Sequence, residues 1–462
     1  MTIRSLRTGG KALVFLAIVL IIIITLHIAN VEPVPLPRWR GERLHTGSPL
    51  KALSDIASDA PPCQSLAGTD GIVVVMRTGA TEIKHKLPVH FNTTFACYPD
   101  TLIFSDYAED FDGHQVYDAL EDVNEGVKQS NMDFEHYRRI QRLGREGLND
   151  DELHGESWES GAVGKNENPG WRLDKWKFLP MIVRTLELRP EARWYVFVEP
   201  DSYVVWSNMV QWLHTQDPEK ASYYGSEVQI GQDIFAHGGS AFVMSRPAMT
   251  LGAEVYQNNR NEWHERTANH WAGDCILGTA LKMAGVPLTW SWPMFQGGMP
   301  TEMNWAEKKA DKRLWCTPAL SYHHFEASDI RRMWDFEQRH IQALKKSGTR
   351  PWYRRKDTVL HHRDVFNDYI LPNVTAARSD WTNMSPDAVE NSAGMTIEEC
   401  QAVCEVKSAC LQFSMDAVAC STSDQVKLGQ PAKDVQSGWN VEGINKWASS
   451  LGSCPTKGGW TV

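Results

Sequence analysis

Glu199-Pro200-Asp201 stands directly after Trp194 to Val198, a run apolar enough to be a buried strand. Carboxylates at i and i+2 of an extended segment point the same way. Proline donates no ladder hydrogen bond, so strand pairing stops there and both acids lie at a sheet edge. That arrangement suits a hard divalent cation, Mg²⁺ or Mn²⁺, which takes oxygen ligands and bridges to phosphate oxygens. An acidic turn closing a strand has the same spelling. Further on, Ser321-Tyr322-His323-His324-Phe325 ends a short run with two imidazoles. Either could add a nitrogen ligand to the Asp201 oxygen around Mn²⁺, and composition does not separate His323 from His324. Asp274 precedes the apolar helix face that begins Cys275-Ile276-Leu277. It could cap a first turn or, with its pKa lifted by desolvation, serve as a general base.

These side chains need a frame. Ile72 to Met76, followed by Arg77-Thr78-Gly79, and Thr101 to Phe104, followed by Ser105-Asp106, each read as a buried strand with polar residues at its C-terminal end. Ligands of open α/β sheets sit at those ends, which singles out Arg77, Thr78 and Asp106, although any strand end can be polar for solvation alone. Leu173, Trp176, Leu179, Ile182, Val183 and Leu186 recur at spacings of three and four, predicting a helix that faces a sheet and kinks at Pro180. His237-Gly238-Gly239 opens another strand, and His270 to Gly285 starts polar and continues as a helix. Alternating helices and strands predict an α/β domain over residues 67–375. Beyond it the texture changes. Cys400, Cys404, Cys410 and Cys420 cluster, and Cys454 lies near the end, as in a small module of 376–462 stapled by disulfides.

The residues before the domain carry an address. Residues 12–29 hold no formal charge, and 18 residues at ~1.5 Å rise are enough to span a bilayer core of about 30 Å. Arg4, Arg7 and Lys11 precede this run and only Glu32 follows closely, which keeps a tail of residues 1–11 in the cytosol and sends the rest across the membrane. The run is longer than a signal-peptide core and no small-x-small site follows it, so it reads as a retained signal anchor. Residues 30–66 are Pro-rich and without periodicity, an extended stem. Sequons at Asn92, Asn373 and Asn383 agree with a secretory route, with Pro386 directly after the last. Nine cysteines in that compartment are expected to be mostly paired, and the odd count leaves one thiol free or engaged in a disulfide-linked dimer. With 57 Asp and Glu against 47 Lys and Arg, the net charge of −10 argues against a nucleic-acid partner held by a basic face. Nineteen tryptophans are many for 462 residues. Trp290, Trp292 and Trp305, in a Gly/Pro-rich loop, are candidates to stack on a sugar, although core packing is the usual place of a tryptophan and the favoured role for each.

Taken in order, these segments resemble glycosyltransferase family 31, in its fringe-like, core 1 β-1,3-galactosyltransferase branch. RWYVFVEPDSYVVWSNMVQWL is similar to the family strand that ends in three aspartates followed by Thr-Tyr-Val. HGGSAFVMSRPAM looks like its double-glycine, acceptor-side strand, GDCILGTAL like its Glu-Asp motif opening a helix, and SYHHF like its late histidine motif. GIVVVMRTG and TLIFSDY correspond to its first two nucleotide-side strands, so the resemblance covers roughly residues 70 to 340. The C-terminal cluster, from TIEECQAVC through KSACLQFS to Cys420, is similar to a PAN/apple-like module.

The resemblance implies a Rossmann-like, GT-A type nucleotide-diphospho-sugar transferase domain. Asp201 and His323 would hold Mn²⁺ beneath the diphosphate of a UDP-sugar, with His324 as competitor. Glu199 would turn to the ribose and uracil, Arg77, Thr78 and Asp106 would line the nucleotide, and Gly238 and Gly239 would sit on the acceptor side. Asp274 would be the base of an inverting displacement. The implied protein is a single-pass type II Golgi enzyme moving a hexose, galactose or N-acetylhexosamine, to a glycan or glycoprotein, with β-1,3 linkage. The sequence departs from the family pattern at Pro200, where the middle aspartate stands, at Glu199, one methylene longer than the first, and at Gly273, where the motif has its glutamate. These departures leave a non-catalytic, lectin-like or chaperone protein on the same fold as the alternative. A glycoside hydrolase with two separated carboxylates is a further one, distinguished by needing no nucleotide.

Overall fold

Ile72–Arg77 (β1) is buried at all six positions, the condition of a strand covered on both faces of a sheet. In the computed structural model, which describes residues 60–153, 169–346, 358–374, 377–454 and 459–462, this strand is central. It pairs in parallel with Thr101–Ser105 (β2) on one side and Trp194–Val198 (β5) on the other. Beyond β2 lie Glu109–Phe111 (β3) and His114–Asp118 (β4), with β4 parallel to β2 and β3 closing the edge antiparallel. After the two-residue strand Tyr203–Val204 (β6), the other side is built from Tyr223–Gly225 (β7), Phe242–Ser245 (β10) and Thr289–Trp290 (β11), with Glu227–Ile230 (β8) and Asp233–Ala236 (β9) as a hairpin in between. The order across the sheet is β11-β7-β10-β5-β1-β2-β4-β3. Because β10 runs antiparallel to both β5 and β7, the sheet is mixed rather than parallel throughout.

Alternation along β1 and β5 divides the core. Ile72, Val74, Met76, Val196 and Val198 pack on one face with Trp206, Met209 and Trp212. Val73, Val75, Tyr195 and Phe197 pack on the other against Leu179, Ile182 and Leu277. The expected kink at Pro180 does not occur. Pro169–Asp174 and Phe178–Leu188 are separate helices, and the break at residues 175–177 places Pro180 in the first turn of the second, where a missing N–H is tolerated.

The expected anchor over 12–29 lies outside the described residues, and among the described residues no helix is long and apolar enough to cross a membrane. The stem expected over 30–66 is corrected at its end: Cys63 is buried and bonded to Cys97, so residues 60–66 belong to the folded body.

At the other end, helix Ile397–Val406 lies on a five-stranded antiparallel sheet and is stapled by Cys400–Cys420 and Cys404–Cys410. This region is no free-standing module. Leu411, Trp439 and Ile444 share one apolar cluster with Tyr203, Tyr322 and Phe366, and Cys316–Cys454 crosses the expected boundary at 375. Residues 60–462 are accordingly one compact unit. The odd cysteine is Cys275, 1% exposed, so its thiol has no surface from which to link a dimer. Asn92 and Asn373 are exposed. Asn383 is not: it is fully buried and its amide donates to the carbonyls of Phe413 and Gly438, which removes it as a glycan acceptor in the folded protein.

Candidate functional site

The acidic segment is set by what surrounds β5. Beyond Val198 the chain turns, with Ser202 N–H donating to the Glu199 carbonyl at 3.0 Å and the Ser202 hydroxyl to Gly239 O at 2.6 Å. β6 then pairs antiparallel with Ser321–Tyr322, and Phe325 N–H donates to Asp201 O at 2.9 Å. This register carries His323 to Asp201 across more than a hundred residues of chain, with Nε2 3.3 Å from Asp201 Oδ1. One ligand atom each of Glu199, Asp201 and His323 falls within 4.8 Å of the others. His324, which takes a left-handed φ of 68°, packs against His323 with its ring tilted by 31° at 3.9 Å between centroids and is not part of this group.

Two carboxylate oxygens and an imidazole nitrogen fit Mn²⁺, a metal that accepts both donor types. Nδ1 of His323 is buried with no hydrogen-bond partner, so the ring is not committed elsewhere. The electrostatics are balanced by two cations. Arg77, at the end of β1, pairs with both Glu199 and Asp174, with its guanidinium 3.9 Å above the Phe178 ring. Lys86 Nζ lies 3.1 Å from Asp201 Oδ2. Burial opposes the charge on Lys86, but Glu82 and Asp201 outweigh it and hold the ammonium well above the usual lysine range. Burial likewise opposes protonation of His323, and Asp201 again prevails, raising its pKa.

Asp274 sits in the first turn of helix Gly273–Met283, where its Oδ2 accepts from Gly238 N–H at 2.9 Å and Oδ1 from Cys275 N–H at 2.9 Å. Asp274 is thus a first-turn acid whose carboxylate also ties the helix to the Gly238 backbone. Burial lifts its pKa above the ordinary value, and His237, the Gly238 N–H and Arg77 offset this only in part. His237 links the two halves of the site. Its ring is 5.3 Å from that of His323, and burial together with His323 lowers its pKa. Both glycines are needed for close approach. A Cβ on Gly239 would lie 2.3 Å from the His323 ring, and one on Gly238 would lie 3.0 Å from Phe178 and 3.1 Å from Arg77 Nη2.

Arg77, Glu199, Asp201, Gly238, Gly239, Asp274 and His323 are thus brought together by direct contacts. Asp106 and Thr78 stand one layer back. Asp106 has no exposed surface and accepts from Ala80 N–H at 2.9 Å and His136 Nε2 at 2.7 Å, with Lys177 Nζ at 3.2 Å. Burial would raise its pKa, but Lys177 and His136 more than offset that and hold the carboxyl far below the usual range. Its place is therefore that of a buried anchor, not of a residue lining a nucleotide. Thr78 is 2% exposed, and its carbonyl accepts from Lys177 at 2.7 Å. The tryptophans separate as well. Trp305 is 1% exposed inside the cluster that joins the C-terminal region, and Trp292 is 6% exposed, so neither offers a sugar a face. Trp290 is 42% exposed, with Lys312 Nζ 5.7 Å from its ring.

Sequence reasoning passed over Lys86, His90, Asp174, Lys177 and His237. His237 had a signal, since it opens the His237-Gly238-Gly239 segment. Lys86 and His90, whose Nε2 donates to Pro200 O at 2.8 Å, had none, because their partners lie more than a hundred residues away. No protein-family model matches the chain, and no curated protein matches it.

Proposed function

We propose that the chain is an inverting glycosyltransferase of GT-A type that moves a hexose from a UDP-sugar to a glycan or glycoprotein hydroxyl. The observation that carries this reading is the convergence of Glu199, Asp201 and His323 beyond the C-terminal end of β5, where open α/β sheets take their ligands, with Asp274 linked to them through Gly238 and Arg77. Asp201, His323 and Glu199 would hold Mn²⁺, which when bound supplies positive charge against the leaving diphosphate. Asp274 takes the proton of the acceptor hydroxyl as that oxygen attacks the anomeric carbon. The bond from that carbon to the diphosphate breaks on the opposite face and UDP departs. A raised pKa suits this base, since burial keeps the carboxylate unsolvated and basic. Arg77 fixes Glu199 by a salt bridge and stays anchored by Asp174 and Phe178. Galactose or N-acetylhexosamine, β-1,3 linkage, a type II Golgi location and an apple-like role for the C-terminal sheet in recognition complete the reading, on the resemblance of motifs.

The test is UDP binding by calorimetry with Mn²⁺ and with EDTA, alongside Asp201→Ala. Binding that needs the metal and is lost in the variant is expected. A folded protein with no affinity for UDP overturns the transferase and favours the lectin-like reading on the same fold.

A further inference from the structure

Lys86 closes the short helix Ile83–Lys86, and its ammonium lies 3.1 Å from Asp201 Oδ2 and 3.0 Å from Glu82 Oε2. Its side chain is 16% exposed and that of Asp201 6%, so the pair is screened little by water. The other Asp201 oxygen faces His323. A divalent ion joining this carboxylate therefore meets a cation already in place. The second cation, Arg77, is held by Asp174 and by the Phe178 ring as well as by Glu199, and its planar fork has little freedom to move. Lys86 differs. A flexible four-carbon stem carries its charge, and Glu82 keeps one ion pair intact if Asp201 is released.

We propose that Lys86 is an exchangeable counter-ion of the metal site: it holds Asp201 in the metal-free protein, yields that carboxylate to Mn²⁺, and turns its ammonium to the diphosphate that arrives with the metal. The inference rests on the reading of Glu199, Asp201 and His323 as Mn²⁺ ligands. Two consequences of opposite sign follow. Before nucleotide binds, the ammonium competes with the metal for Asp201 and keeps metal affinity low. Once both ligands are present, the same ammonium contributes a charge-assisted hydrogen bond to phosphate oxygens. Metal and nucleotide then favour one another reciprocally through one side chain.

The experiment measures, on the full-length chain, Mn²⁺ binding alone and UDP binding at saturating Mn²⁺, for wild type, Lys86→Met and Lys86→Arg. Lys86→Met is expected to bind Mn²⁺ about tenfold tighter or more, because the metal no longer displaces a cation from a buried carboxylate. It is expected to bind UDP about tenfold more weakly, having lost the phosphate contact. Lys86→Arg, which keeps the charge, should stay near wild type in both. A purely structural role would move both affinities the same way. Mn²⁺ affinity that is unchanged or lower in folded Lys86→Met overturns the proposal, as does UDP affinity that does not fall. Should Lys86→Met fail to fold, Lys86→Gln carries the same expectation, and loss of folding in both overturns it. Absence of Mn²⁺ binding from wild type and variants alike overturns the ligand reading itself, whereas wild-type Mn²⁺ binding that replacement of Lys86 leaves unchanged overturns the role of Lys86 alone.

Discussion

Acidification should destabilise the fold through His90, a residue that buttresses the acidic segment. His90 is 1% exposed, with Nε2 2.8 Å from Pro200 O and Nδ1 2.8 Å from Thr94 Oγ1. A carbonyl only accepts, so a proton sits on Nε2, and burial is what disfavours a second proton on Nδ1. Burial lowers its pKa to about 4, with the Pro200 carbonyl and Asp201 offsetting only part of the effect. The unfolded chain protonates this ring near pH ~6.5. Between roughly pH 6.5 and 4 the unfolded state therefore binds a proton that the folded state refuses, and stability falls as pH falls. The slope is about 1.4 kcal/mol per pH unit, or about 2 kcal/mol lost by pH 5. His362 adds to the slope with the same sign, since burial lowers it to about 3. The assay isolates His90 by difference. Denaturant unfolding is followed from pH 7 to pH 4.5 for wild type and His90→Gln, whose Nε2 still donates to Pro200 O but does not titrate. The two curves should converge on acidification by about 2 kcal/mol at pH 5. Parallel curves, or a wild type that gains stability relative to the variant as pH falls, would refute the reasoning.

Gly239→Ala places a methyl 2.3 Å from the buried His323 ring, so it should cost about 1–3 kcal/mol of stability and, in protein that remains folded, at least about tenfold in metal-dependent UDP affinity. Unchanged affinity would show that the ring position is not critical. In a secretory host, Asn92→Gln and Asn373→Gln should each remove one glycosidase-sensitive mobility shift, and Asn383→Gln none, because that amide is buried among backbone acceptors. A shift lost at Asn383 would contradict its burial. Replacing Cys316 and Cys454 together by serine opens a bridge spanning 138 residues and should cost roughly 2–5 kcal/mol in denaturant unfolding of the whole unit. A separate early transition confined to residues beyond 376 would instead reveal an independent C-terminal module.

Local sequence carried much of this architecture. Uninterrupted apolar runs at Ile72 to Met76 and Trp194 to Val198 read as buried strands and are, and Asp274, before an apolar helix face, stands in the first turn of that helix. Each of those features is decided within a few residues, by propensity and by the need to pair or bury the backbone. The choice between His323 and His324 was not local. It follows from the pairing of β6 with Ser321–Tyr322, which delivers one ring to Asp201 and leaves the other tilted against it. The same holds for Asp106 and Trp305, whose types suggested ligand contacts but whose neighbours, Lys177 and His136 in one case and the shared apolar cluster in the other, commit them to the interior.

The sequence by itself thus determined the central buried strands β1, β2 and β5 and the helix that opens at Asp274, and which polar residues stand at their ends. Only the tertiary structure decided which of those residues meet. Lys86 and Asp201 lie 115 positions apart and Arg77 and Glu199 lie 122 apart, and no periodicity of the chain records such pairs. The physical reason is that strand and helix formation depend on near neighbours, whereas the charge balance of a site depends on sheet order and register, which bring distant carboxylates and cations within hydrogen-bonding distance.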